Sequence, residues 1–145
     1  MNDIEFKDIL SITKFFESPD SFVIPLIGGK GKYKLITNDK EKTFHLDVDR
    51  SGRIVLKFKN QIRKDSLPLV RIDVNGPPHS NPDGQTVSGT HIHIYREGYS
   101  GLSWAYELSD MFDRQFDETN VLDIFLHFCD YCNIKYEDIN IQGVL

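Results

Sequence analysis

Two stretches near the middle of the chain alternate apolar and polar side chains with a period of two. Val70, Ile72 and Val74 alternate with Arg71, Asp73 and Asn75, and Ile92 and Ile94 alternate with His91, His93 and Tyr95. Successive side chains on a strand point to opposite faces. Strands over 69–75 and 90–96 that bury their aliphatic sides in one core, paired antiparallel, therefore turn Arg71, Asp73, His91, His93 and Tyr95 toward a common space. The same alternation runs through KTFHLDVD (42–49), where Phe44, Leu46 and Val48 oppose His45, Asp47 and Asp49. In RIVLKFK (53–59), Ile54, Leu56 and Phe58 oppose Lys57 and Lys59. KYKLIT (32–37) and SWAYEL (103–108) also read as strands, and INIQGV adds a short last one. FVIPLI (22–27) is interrupted by Pro25, which confines it to an edge or to irregular backbone. The connectors TNDKE and DRSG are short and polar, as hairpins require. Four runs with split faces indicate an antiparallel sheet with one wet face rather than a buried parallel sheet.

Helical spacing appears at the two ends. Ile4, Ile9, Ile12, Phe15 and Phe16 predict an amphipathic helix over 3–17, started by Asn2 or Asp3 and stopped at Ser18-Pro19. Val121, Ile124, Phe125, Phe128 and Cys132 form an apolar stripe on a second helix capped by Asn120. SDMFDRQFDE between them is acidic and reads as a turn or a short helix. Between the two central strands lies GPPHSNPDGQTVSG, long for a hairpin and rich in turn formers, with Asn81-Pro82-Asp83-Gly84 a type I turn. Long ordered loops are often functional, and this one carries His79 to a position from which it can close over the polar face. The expected fold is α+β, in one domain over 1–145: a curved antiparallel sheet of about six to eight strands with an N-terminal and a C-terminal helix.

Composition changes this picture little, whereas charge placement changes it more. The 145 residues are 39% hydrophobic and 27% charged, which suits a globular domain with a core. Net charge is −5, but residues 1–72 hold 14 Lys/Arg against 10 Asp/Glu, and residues 73–145 hold 3 against 12. Phosphate binding is largely electrostatic, so a polyanion belongs on the first half, with Lys57, Lys59 and Arg63 as substrate-binding residues and Lys30, Lys32 and Lys34 beside them. The acidic half, with Asp110, Asp113, Asp117 and Glu118, suits a basic protein partner. No apolar run approaches membrane-spanning length and the N-terminus lacks a secretion pattern, so a cytoplasmic protein without a membrane partner is expected. Cys129 and Cys132 form a C-x-x-C pair late in a helical pattern. That is the wrong end for a thioredoxin-like thiol, and no second pair completes a zinc site, so both read as core residues.

The residues on the polar face admit three chemistries. Two imidazoles can act as base and acid on a phosphodiester while Arg71 neutralises developing charge, and Asp73 or Tyr95 orients an imidazole. A ribose 2′-hydroxyl attacking its own phosphodiester needs neither metal nor cofactor, so His91, His93, Arg71, Asp73, Tyr95 and His79 would suffice. Alternatively, H-x-H on a strand turns both rings to one side at a spacing that suits one metal ion, with His79, Asp73 or Glu97 as a third ligand. The bland reading is that the same groups hydrogen-bond to loops and neighbours.

PLVRIDVNGPPHSNPDG followed by GTHIHIYREGYSGLSWAYEL resembles an uncharacterised family of small proteins from phages and mobile elements of Gram-positive bacteria, over about 40 residues. The resemblance implies no established reaction. It implies a setting of toxins, antitoxins and inhibitors of host defence. The leading expectation is a toxin-like, metal-independent RNA phosphodiesterase acting on RNA, with a possible cognate antitoxin. The alternatives are an anti-defence protein, for example a CRISPR inhibitor, that binds a host protein, and a metal-binding protein that uses His91 and His93.

Overall fold

The computed structural model describes residues 1–62 and 65–140. Asn2 opens the first helix, α1 (Asp3–Ser11), by accepting the Glu5 amide on its side chain at 2.8 Å. The helix is shorter than its apolar spacing suggests. Ile12 is extended, and the chain passes into strand β1 (Lys14–Phe16), whose burial alternates. β-branched Ile12 and Thr13 weaken the helix there, and pairing on both sides of β1 outweighs it. Residues 22–29 form no regular strand, in keeping with Pro25.

A meander follows: β2 (Lys30–Ile36), β3 (Thr43–Asp49), β4 (Ile54–Ile62) and β5 (Asp65–Val74). After β5 come a small two-stranded ribbon, β6 (His79–Ser80) with β7 (Thr86–Val87), then β8 (His91–Ile94) and β9 (Ala105–Glu107). The chain continues into α2 (Leu108–Phe112), α3 (Val121–Tyr131) and β10 (Ile134–Lys135). SWAYEL thus divides between strand and helix. Among the described residues the last strand lies at 134–135, and most of INIQGV falls outside them. Asn120 caps α3 by accepting the Asp123 amide at 3.1 Å.

Eight strands form one sheet in the order β10-β1-β2-β3-β4-β5-β8-β9, with all pairs antiparallel except β1 with β10. The expected antiparallel α+β architecture is therefore present. Leu35, Phe44, Leu46, Leu56, Phe58, Ile72 and Ile92 line the apolar face and pack with Phe22, Phe125 and Phe128. Phe22 stacks on Phe125 with ring centroids 5.2 Å apart. Cys129 and Cys132 are buried there, and burial pushes both thiols well above their ordinary value, so neither is a ready nucleophile.

Candidate functional site

Register places the polar residues. β5 pairs with β8 so that Arg71 lies opposite His93 and Asp73 opposite His91. Directly opposed residues of an antiparallel pair share a face, so these four side chains meet as their alternation predicts. Behind Arg71, on β4, stands Lys57.

The face is not wet at this point. Asp73, His91 and His93 are buried, with His79 and Ser88 of the 76–90 segment and the Leu102 carbonyl against the two histidines. Its roots are stitched by the Gly76 amide donating to the Gly89 carbonyl at 3.0 Å. Asn81 holds the far side: its Nδ2 donates to the Ala105 carbonyl and its Oδ1 accepts the Ala105 amide, both at 2.8 Å. His79 Nε2 reaches the Ser103 carbonyl at 2.7 Å, and its ring stands edge-on to His93 with centroids 4.6 Å apart. His79 therefore does close over the site.

Each buried imidazole is anchored through Nδ1. His91 Nδ1 donates to the Ser88 carbonyl at 2.6 Å, and His93 Nδ1 donates to the Leu102 carbonyl at 2.7 Å. Those bonds commit both Nδ1 atoms as donors and turn both Nε2 atoms inward. The two Nε2 atoms are 3.0 Å apart. Asp73 Oδ2 sits 3.4 Å from the first and 3.9 Å from the second. Arg71 forks onto the same carboxylate, Nε to Oδ1 at 2.8 Å and Nη2 to Oδ2 at 3.1 Å, and Nη2 is also 3.1 Å from His93 Nε2.

Two unprotonated Nε2 atoms at this distance would turn their lone pairs on one another; a proton on His91 Nε2 directed at the Asp73 carboxylate avoids that and leaves the His93 Nε2 lone pair to Arg71. Burial works against a charged His91, but the Asp73 carboxylate and the Ser88 carbonyl outweigh it and raise its pKa. Burial, Arg71 and His91 together hold His93 down at about 4. Burial would raise Asp73, yet its bonds to His91 and Arg71 bring it to about 2. Asp73 is thereby held as the carboxylate and His93 as the neutral imidazole, while the protonated form of His91 is favoured between them. Asp73, His91 and His93 each direct a ligand atom into one small volume, all within 4.8 Å of one another.

The other expected residues divide. Tyr95 leaves the group: β8 ends at Ile94, the alternation lapses, and the Tyr95 ring packs on Phe6 at 5.4 Å while its hydroxyl donates to the Met1 carbonyl. Lys59 stands opposite His45 and Pro68 in register, beyond an irregularity at Phe58/Lys59, while Arg63 lies outside the described residues. Glu97 is exposed, and its amide bonds to Asp3. Sequence reasoning missed Asn81 and the carbonyls of Ser88 and Leu102. Asn81 belonged to a recognised turn, and nothing in its identity showed that it also clamps β9.

Fold and site together define a small α+β domain with a loop-covered His–His–Asp–Arg cluster on its sheet. The chain belongs to a family of unknown function, DUF6978, whose model matches residues 1–134. No curated protein and no solved structure matches it.

Proposed function

We propose that the chain is a divalent-metal protein, with His91 Nε2, His93 Nε2 and the Asp73 carboxylate as ligands. The observation that carries this reading is the pair of Nδ1-anchored imidazoles whose Nε2 atoms meet 3.0 Å apart beside Asp73. Metal-ligating histidines usually donate their other nitrogen to a carbonyl or carboxylate, which fixes tautomer and ring orientation. Two nitrogens bound at about 2.1 Å lie about 3.0 Å apart at the right angle of an octahedral ion and about 3.4 Å apart at a tetrahedral one, so the present spacing suits the first directly and the second after a small opening. Two histidines and one carboxylate suit zinc or iron(II), and three protein ligands leave positions open, as in catalytic rather than structural centres. The ion takes the place of the proton on His91. Isothermal titration with Zn2+ at pH 7.5 tests this. One site per chain is expected, lost in His91→Ala and in His93→Ala. Equal binding by wild type and both variants refutes the ligand set.

A second reading, the metal-independent RNA phosphodiesterase, draws on the opposite pKa shifts of the two histidines. Environments that push two titratable groups apart are how acid and base roles are assigned. It needs the Nε2–Nε2 contact to open so that a phosphate can enter. Chelator separates the two: RNA cleavage that survives chelator but falls about a hundredfold or more in His91→Ala supports this reading over the first. The phage-like motifs favour a toxin or anti-defence setting for either chemistry.

A further inference from the structure

We infer that Arg71 is the resident counter-cation of this centre, displaced when a metal ion enters and then free to take a phosphate-type oxyanion bound at that ion. This rests on the metal reading above and names its substrate class. Arg71 occupies the two acceptors a metal needs: Asp73, through Nε and Nη2 at 2.8 and 3.1 Å, and His93 Nε2, through Nη2 at 3.1 Å. His93 Nε2 has one lone pair, which Arg71 and a divalent ion cannot both use, and like charges in contact within a half-buried site repel strongly. One of the two must leave.

Arg71 is the member able to leave. Its side chain is 31% exposed, whereas those of Asp73, His91 and His93 are at most 5% exposed. Lys57 of β4 stands opposite Arg71 in register, with Asp47 of β3 opposite Lys57 in turn. A displaced guanidinium remains tethered beside the ion by its place on β5, with part of its side chain already in solvent. Its fork matches two oxygens of a phosphate or a phosphodiester. The open coordination positions take a third oxygen. Metal and oxyanion therefore bind cooperatively, with Arg71 passing from the carboxylate to the ligand.

The test follows Co2+ by its visible absorption in wild type, Arg71→Gln and Arg71→Lys, with and without inorganic phosphate. Removing the competitor should tighten Co2+ binding in Arg71→Gln by about tenfold, the scale of one charge-assisted hydrogen bond. Phosphate should tighten Co2+ binding to wild type and have little effect in Arg71→Gln. Arg71→Lys keeps the charge without the fork, and should fall between the two for metal while losing most of the phosphate effect. A dinucleoside monophosphate in place of phosphate tells a phosphodiester ligand from the free ion. Co2+ binding that is equal or weaker in Arg71→Gln, or a phosphate effect that persists there, overturns the inference while leaving the metal reading intact. Absence of Co2+ binding in all three proteins overturns both.

Discussion

Lys14 lies on β1 with its side chain fully buried, and its ammonium is satisfied throughout. Nζ donates to the carbonyls of Leu10, Ile12 and Cys132 at 3.0, 2.8 and 2.8 Å, and sits 5.4 and 5.1 Å from the ring centroids of Phe44 and Phe58. Three donors meet three acceptors, two of them at the C-terminal ends of α1 and α3, where carbonyls attract a cation. Lys14→Met leaves those carbonyls unpaired, and a loss of at least about 2 kcal/mol is expected in urea unfolding. Burial lowers the Lys14 pKa to about 8, against an ordinary value of 10.5. Between those values the unfolded chain holds a proton that the folded chain has released. The contribution of Lys14 to stability is therefore smallest below pH 8 and grows as pH rises toward 10.5. The gap between wild type and Lys14→Met should widen from pH 7.5 to pH 9.5, and a narrowing gap would contradict this assignment. From the sequence, Lys14 is one more charge between apolar residues of a helix. Only the switch to a strand turns it inward. Arg71, Asp73, His91 and His93 were legible as a group because period-two alternation plus antiparallel pairing leaves them one side to share. The burial of Asp73, His91 and His93 and the Nδ1 anchors of the two histidines were not, since the covering loops and the Ser88 and Leu102 carbonyls have no side-chain signature.

At the scale of elements, the 76–90 segment decides whether the cluster is a wet face or a closed centre. Its roots approach so closely that a Cβ on Gly89 would lie 1.9 Å from the Gly76 carbonyl oxygen. Gly89→Ala must therefore part the two roots, at a cost of roughly 1–3 kcal/mol or more. Amide hydrogen exchange should speed up across 76–90 in that variant, whereas Gly52→Ala, with nothing within 4 Å of its added Cβ, is the neutral control. Unchanged exchange in Gly89→Ala would mean that the loop does not depend on this contact. The turn chemistry of this segment was readable from Pro77-Pro78 and Asn81-Pro82-Asp83-Gly84. Its destination was not, because Asn81 and His79 find their partners on β9 and just before it, more than twenty residues away. The same limit explains the shortened first helix: helical spacing is local, while the pairing of β1 with β2 and β10 is not.

Over the whole molecule, the sheet confines the cluster to β5 and β8, next to the edge strand β9, with the lysines of β2 at the other end of the polar face. Those lysines do not form an unopposed basic surface. Lys30 and Lys32 stand opposite Asp49 and Asp47, and Lys34 pairs with Glu17 at 3.1 Å. The overall charge of −5 works in the same direction. Affinity for a twenty-nucleotide single-stranded RNA, followed by fluorescence anisotropy without added metal, should therefore be weak and vanish near physiological salt. Tight binding that resists salt would point to an RNA surface outside this account.

Anomalous diffraction from crystals grown with Zn2+ decides whether Asp73, His91 and His93 hold a metal ion. A peak is expected at the zinc edge about 2.1 Å from His91 Nε2 and from His93 Nε2, beside an Asp73 oxygen, with the Arg71 guanidinium drawn away from the carboxylate. Crystals at saturating Zn2+ with no peak there, the Nε2 atoms still in contact and Arg71 still forked onto Asp73, would contradict it.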